Sequence, residues 1–317
     1  MLSLLVSALS ISAPTFAWVL AGLALRRVGF LSETLITQVS QLAFRFGLPA
    51  MLFAGAARID YSTIGSARYL LAGALATLLT LAGAWLYSHW RGHPQAQRGI
   101  FVQAAFRSNL AIVGLALAVA AYGERGPVIA ALPVAVLTTL YNVLAVWVLN
   151  STLGTGASIA ALVGGIVRNP LIIGIAAGVI VALSGLPVPE FVATVGTGLS
   201  TFFLPVMLLC IGGAMQLSSL RNTGLLTWEA TVWRLCIGPA LAVVLALLMG
   251  VRGEQLGVLF LLMSSPVAAA SFVMVVAARG DGALAANIVV LTTLLSVVTV
   301  TAGFFLLSLF SLAGLPG

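Results

Sequence analysis

Arg107, Ser108 and Asn109 interrupt an otherwise apolar stretch, QAAFRSNLAIVG, with side chains that could contact a ligand. Arg107 follows the preceding charge, Arg98, by nine residues, a distance of about 14 Å along a helix. A guanidinium at this depth in an apolar segment could bind the carboxylate of a substrate. It could also neutralise the C-terminal dipole of a helix that ends there, since cations stabilise that end. The sequence leaves both roles open.

A second polar interruption, Ser264, Ser265 and Pro266, lies within LLMSSPVAAASFV at a similar depth in its own apolar stretch. Serine followed by proline is typical of a helix start, because serine caps free N–H groups and proline fits the first turn. Asn109 can cap a second half-helix in the same way. Two such N-termini pointing at one place favour an anionic ligand. The alternative is that the proline only kinks a continuous helix.

Both interruptions belong to a chain that is apolar throughout. Of its 317 residues, 61% are hydrophobic and 7% are charged, whereas a soluble domain carries about 25% charged residues. A bilayer span needs about 20 apolar residues, so the length allows about ten spans with short loops. The composition therefore predicts an all-α integral membrane protein. We place the spans at about residues 4–25, 34–57, 68–90, 98–122, 127–149, 168–185, 189–217, 225–249, 254–279 and 283–313.

The arginines between the predicted spans indicate how the chain is oriented. Seven lie in loops on one side and four in loops on the other, and the side richer in arginine is the cytoplasmic one. This places both termini outside and residues 150–157 inside, in a multi-pass protein of the cytoplasmic (inner) membrane. The net charge of +7 comes from arginines scattered singly along the chain. Membrane topology explains that charge, so no nucleic acid is expected as a partner.

The two halves of the chain resemble each other in sequence. A shift of 156 residues aligns segment 13–52 with segment 169–208 without gaps, and ten of the 40 positions are identical, including two prolines and two glycines. Each copy holds five predicted spans, an odd number, so the second copy must enter the membrane from the opposite side. The sequence therefore predicts two inverted repeats, residues 1–150 and 151–317, an arrangement typical of secondary transporters.

Five segments make the chain similar to bacterial members of the auxin efflux carrier family of membrane transporters. They are FGLPAMLF (46–53), RSNLAIVGL (107–115), RNPLIIGIAAG (168–178), FLPVMLLCIGGAM (203–215) and SSPVAAASFVMVVAARGDGALAANIVVLTTLLSVVT (264–299). The resemblance covers essentially the whole chain. It implies ten transmembrane helices in two inverted five-helix repeats, with helices 4 and 9 broken and crossing at a central site. Asn109 and Pro266 match the crossover asparagine and proline of the family, whereas Ser108 stands where plant members have proline.

The resemblance also implies how the helices divide. Helices 1, 2, 6 and 7 form a scaffold through which the protein forms a homodimer, and helices 3–5 and 8–10 form the transport domain. We predict a carrier in the lipid bilayer that moves a small organic anion, such as a mono- or dicarboxylate or an auxin-like acid, by alternating access. The predicted binding residues are Arg107, Ser108, Asn109, Ser264, Ser265 and Pro266. The alternatives are a sodium-coupled symporter of the bile-acid carrier type and a non-transporting membrane sensor or channel.

The remaining charged residues favour no other chemistry. No acid lies in the middle of a predicted span, which disfavours a cation/proton antiporter. His89 and His93 have the spacing of ligands on one helix face, but no third ligand is near, so neither a metal nor a cofactor is expected. Arg45 and Arg234 lie inside spans, where an uncompensated charge is costly, and we expect them to snorkel or to pair structurally. Enzyme motifs are absent from the sequence, and the chain is not expected to be an enzyme.

Overall fold

Long runs of Leu, Ala and Val between glycines, prolines and charged residues fold into helices, which bond backbone groups internally as an apolar surrounding requires. A computed structural model describes the protein over residues 2–58, 67–154, 164, 167–185, 188–215, 217 and 223–314. The helices of these residues are α1 (Leu2–Arg27), α2 (Glu33–Leu42), α3 (Leu48–Ala57), α4 (Arg68–Trp90), α5 (Gln95–Phe106), α6 (Leu115–Tyr122), α7 (Arg125–Leu153), α8 (Pro170–Leu183), α9 (Glu190–Ala214), α10 (Leu225–Val232), α11 (Gly238–Leu248), α12 (Gly253–Met263), α13 (Ala269–Ala277) and α14 (Gly282–Leu309).

Three of the junctions between these helices are π-helical turns. Ala43–Gly47 joins α2 to α3, Leu110–Gly114 leads into α6, and Trp233–Ile237 joins α10 to α11. A π turn inserts an extra residue into a helix and is frequent at functional sites. Two of the three turns carry an arginine, Arg45 and Arg234.

The helices have the length and surface of membrane spans. Within the described residues, seven stretches are long and apolar enough to cross a membrane, and three apolar helices are shorter. Large apolar side chains are exposed on the surface, among them Leu86, Trp90 and Leu248 at 70%, 79% and 79%, as expected where lipid replaces water. The predicted class of all-α, multi-pass membrane protein is confirmed. The count of ten crossings and the inverted repeat stay predictions.

Two close helix contacts correspond under the same shift of 156 residues that relates the halves in sequence. A Cβ atom added to Gly22 in α1 would collide with the carbonyl oxygen of Leu209 in α9. One added to Gly178 in α8 would collide with the carbonyl oxygen of Phe53 in α3. The shift carries Gly22 onto Gly178 and Phe53 onto Leu209. The helix pairs α1–α9 and α3–α8 therefore approach each other through corresponding residues, with glycine allowing the backbones to meet.

Two further helices stop in mid-course at the polar interruptions in the sequence. Helix α5 ends at Phe106, and helical structure resumes at Leu110. Helix α12 ends at Met263, and helical structure resumes with α13 at Ala269. The short links between the half-helices contain the residues for which a binding role is predicted.

Candidate functional site

The two interruptions lie side by side and bond to each other through the backbone. The N–H of Asn109 donates to the carbonyl oxygen of Pro266 at 2.8 Å, and the N–H of Ala268 donates to that of Arg107 at 3.3 Å. Ser108 and Val267 are thereby paired as a short antiparallel bridge. Each break thus supplies partners for backbone groups that the helices leave unpaired, as buried peptide groups require.

Arg234, on the π turn between α10 and α11, is fully buried beneath the interruptions. Its Nη1 donates to the carbonyl oxygens of Ala105 and Phe106, at 3.2 and 2.7 Å, and its Nη2 donates to that of Met263. These carbonyls stand at the C-terminal ends of α5 and α12. The expectation that Arg234 pairs structurally is confirmed, and its partners are backbone carbonyls rather than acids.

The side chain of Arg107 bonds to α7 and not to the helix ends that Arg234 contacts. Its Nη2 donates to Oδ1 of Asn142 in α7 at 2.8 Å. The side chain is almost entirely buried, and its Nε and Nη1 atoms have no hydrogen-bond partner among the described residues. A buried cation with free donors is costly unless something else pairs with it. The described residues therefore leave two donor nitrogens of Arg107 without an acceptor.

Ser108 and Asn109 flank this guanidinium in different ways. The hydroxyl of Ser108 lies 3.0 Å from that of Tyr141, which in turn donates to the sulfur of Met263 at 3.4 Å. The amide side chain of Asn109 forms no hydrogen bond within the described residues and lines a cavity. Ser108 is thus bonded within the protein, whereas the side chain of Asn109 has no hydrogen-bond partner among the described residues.

The caps predicted for the restarting helices are not formed. Asn109 stands at the N-terminus of the π turn without a side-chain cap. Ser264 and Ser265 turn their hydroxyls back toward the carbonyls of Leu261 and Leu262, at 3.5 and 2.8 Å. The physical reason is the backbone bridge, which keeps the chain after Pro266 extended and delays the start of α13 to Ala269.

A cavity of about 620 Å³ opens beside the interruptions. Arg107, Ser108 and Asn109 line it, whereas the buried residues Ser264, Ser265 and Pro266 do not. Further polar side chains come from Ser40, Gln41, Arg45, Thr138, Tyr141, Asn142 and Asn169. The apolar wall includes Leu110, Ile112, Leu171, Met207, Val273 and Met274. Two arginines, several neutral donors and, among the described residues, no carboxylate give the cavity a positive character suited to an anion with an apolar body.

Several of these lining residues were not predicted from the sequence to belong to the site. Tyr141 and Asn142 are a polar pair within the apolar helix α7. Of the two, only Asn142 could have indicated a site from the sequence, because its side chain is polar throughout and lies in the middle of an apolar helix. Asn169 caps α8, where its Oδ1 accepts from the N–H of Leu171 at 2.9 Å. Arg45, which we expect to snorkel or pair, lines the cavity. No local pattern places Asn169 or Arg45 near Arg107, since they come from other helices.

A smaller cavity of about 230 Å³ lies between α3, α6, α7 and α9 and differs in its electrostatics. Its arginine, Arg58, is 3.8 Å from the carboxylate of Glu124, and the Thr197 hydroxyl donates to the same carboxylate at 3.3 Å. The charge of Arg58 is therefore compensated within the chain. Arg107 in the larger cavity has no such acid within the part of the chain that the structure describes, which makes the larger cavity the candidate site.

The two histidines with metal-ligand spacing have other partners. His93 Nε2 lies 2.8 Å from the carboxylate of Glu229, which Arg91 also contacts at 2.9 Å. His89 Nε2 lies 2.9 Å from Nη1 of Arg98. Among the described residues, no group of three or more His, Cys, Asp or Glu side chains could hold a metal ion.

One protein-family model matches the second half of the chain. The family model described as "Membrane transport protein" matches residues 158–303. This region includes Arg234 and the second interruption, Ser264–Pro266, whereas Arg107 and Asn109 lie outside it. No curated protein matches the chain.

Proposed function

Since residues 158–303 carry the membrane transport domain of the auxin efflux carrier family, we propose that the chain is a carrier for a small organic anion. That family consists of membrane transporters and not of enzymes. The observation that carries the choice of an anion is Arg107, a buried guanidinium with two unpartnered donor nitrogens beside a cavity that no carboxylate of the described residues lines. A mono- or dicarboxylate, or an auxin-like acid, supplies the missing acceptor.

The electrostatic reason is the low dielectric of the membrane interior. A charge at mid-bilayer costs at least about 2.5–3.5 kcal/mol unless it faces water or a partner. For the negative charge of a bound acid, Arg107 is such a partner. It pairs with the acid through charge-assisted hydrogen bonds, which are about twice as strong as neutral ones. Asn109 adds a neutral hydrogen-bonding group, and Leu110, Ile112 and Met274 add apolar surface. The proposed substrate is therefore an acid with an apolar portion.

Alternating access between two groups of helices is the proposed mechanism. The cavity lies between helices assigned to the scaffold, which contribute Arg45, Asn169 and Met207, and helices assigned to the transport domain, which contribute Arg107 and Asn142. The inverted five-helix repeats are supported by the sequence match between the halves and by the corresponding contacts of Gly22 and Gly178. Carriers of this type bind substrate at the interface between their repeats. We further propose a homodimer formed through the scaffold helices.

The transport function is tested in proteoliposomes that contain the purified chain. We expect saturable uptake of at least one radiolabelled acid from acetate, benzoate, succinate and indole-3-acetate, and accelerated uptake when the vesicles are preloaded with the same unlabelled acid. Counterflow of this kind requires a site that faces the two sides in turn. A channel gives unsaturable flux without counterflow, a sensor gives none, and uptake that depends strictly on Na⁺ favours the sodium-coupled alternative.

The proposed orientation has its own test. With Cys210 and Cys236 replaced by alanine, a single cysteine at Ser3 is expected to react with a membrane-impermeant maleimide in intact cells. A single cysteine at Ser151 is expected to react after permeabilisation and not before, because the arginine-rich side faces the cytoplasm. Labelling of both positions from the same side contradicts the proposed topology.

A further inference from the structure

The C-terminal ends of the two broken helices converge on one side chain, that of Arg234. Its guanidinium donates to Ala105 and Phe106 at the end of α5 and to Met263 at the end of α12. The side chain is 0% exposed, so neither water nor lipid competes for these bonds. A guanidinium can serve both ends because its donors form a rigid planar fork.

The charges of these groups balance. The C-terminus of a helix carries the equivalent of about half a negative elementary charge. Two such ends meet at Arg234, and together they match its single positive charge. No other cation among the described residues donates to the last carbonyls of α5 or α12. Arg234 and the two helix ends therefore form a nearly neutral unit inside the membrane.

This balance assigns separate roles to two arginines that lie near the same breaks. The sequence alone allows Arg107 either to bind an anion or to neutralise a helix end. The helix ends are already occupied by Arg234, and Arg107 instead contacts Asn142 and keeps two donors free. The charge of Arg107 is left without a counterpart, in the wall of the cavity.

We propose that Arg234 is a positioning residue of the anion site, which neutralises both broken helix ends and thereby leaves the charge of Arg107 to the substrate. It also fixes the position of Arg107, because the carbonyl of Phe106, the preceding residue, accepts one of its bonds. This inference rests on the proposed anion site for its function. Its test needs no substrate, so the two proposals can fail separately.

The first measurement compares thermal unfolding of purified variants in detergent. Arg234→Gln is expected to lower the midpoint strongly, because it leaves buried carbonyls at two helix ends unpaired. Arg107→Gln is expected to leave the midpoint close to that of the wild type. Arg252→Gln, which removes a charge from an exposed loop, is the matched control. A midpoint that falls as far in Arg107→Gln as in Arg234→Gln overturns the proposal.

The second measurement reads the electrostatic potential of the cavity. In a background with Cys210 and Cys236 replaced by alanine, Ala270→Cys places a thiol in the cavity wall, where Ala270 is exposed. The readout is the ratio of its reaction rates with an anionic (sulfonatoethyl) and a cationic (trimethylammonioethyl) methanethiosulfonate. For a unit charge about 10 Å away, Coulomb's law in water gives a change in this ratio of about fourfold, and more in a lower dielectric.

The expected pattern of ratios separates positioning from a purely structural role. Arg234→Gln is expected to lower the ratio about fourfold or more, since the dipoles of the two helix ends, no longer neutralised, then offset the charge of Arg107. Arg234→Lys keeps the charge and is expected to retain most of the wild-type ratio, and Arg252→Gln is expected to change nothing. An unchanged ratio in folded Arg234→Gln overturns the proposal. If that variant does not fold, a ratio in Arg234→Lys as low as in Arg107→Gln does so.

Failure of the proposed function gives a different result. A chain that transports none of the tested acids, yet shows these midpoints and ratios, refutes the carrier proposal and leaves the assignment of the two arginines in place.

Discussion

Replacing Arg107 with glutamine is expected to lower the affinity for the transported acid by about 10- to 100-fold, because hydrogen bonds to a charged group contribute about 1.5–3 kcal/mol. Glutamine retains a hydrogen-bonding end and much of the length of arginine but loses the charge. The bond to Asn142 belongs to the rim of the cavity and not to the helix backbone. The loss is therefore expected in binding and not in folding.

The measurement is the dissociation constant of the acid that gives the strongest uptake, determined by titration calorimetry on the purified variant. Arg252→Gln provides the control, since it removes one positive charge from an exposed position at the opposite end of α12 from the break. Equal affinities in Arg107→Gln and the wild type contradict the assignment of the site. An affinity that falls equally in Arg252→Gln shows that net charge, and not this guanidinium, attracts the acid.

Gly212→Ala is expected to produce a large loss of stability. Gly212 lies in α9, and a Cβ atom at this position would collide with the carbonyl oxygen of Val19 in α1. Helix backbones cannot yield as a flexible side chain does, so α1 and α9 must separate. Overpacking of this kind costs about 1–3 kcal/mol. We expect a lower unfolding midpoint in detergent and a reduced yield of the folded protein.

Gly198→Ala in the same helix is the matched control. A Cβ atom added there meets no atom within 4 Å. Alanine favours a helix interior over glycine by about 0.5–1 kcal/mol, so this variant is expected to match or exceed the wild-type midpoint. Equal midpoints for the two alanine variants contradict the close approach of α1 and α9.

The places where the helices break could be predicted from the sequence because a polar cluster within an apolar run is costly in lipid. Arg107–Asn109 and Ser264–Pro266 stand out for this reason, and α5 and α12 do end beside them. The manner in which the chain restarts could not be predicted. The capping rule treats each half-helix alone, whereas the backbone bridge to the other break decides where α13 begins.

The lining of the larger cavity could be predicted in part. Arg107 and Asn109 line the cavity, as expected from polar side chains within an apolar run. The hydroxyls of Ser264 and Ser265 instead bond to carbonyls of their own helix. The division of labour between Arg107 and Arg234 could not be predicted, because the two residues are distant in sequence and carry identical side chains. The two arginines differ in their acceptors: Arg234 reaches backbone carbonyls at the helix ends, and Arg107 reaches the side-chain amide of Asn142. Only the packing of α10 and α11 against the breaks determines these acceptors.

The backbone bridge between the two breaks has a consequence for how such a protein can diversify. Two pairs of backbone groups in the breaks bond to each other: the N–H of Asn109 donates to the carbonyl of Pro266, and the N–H of Ala268 donates to the carbonyl of Arg107. They are not available for recognition, which then depends on side chains around the cavity. Exchanges at positions such as Ala111, Asn142 or Val273 can alter the chemistry of the cavity while the backbone bridge stays the same. The same backbone arrangement is thus compatible with cavities that select different ligands.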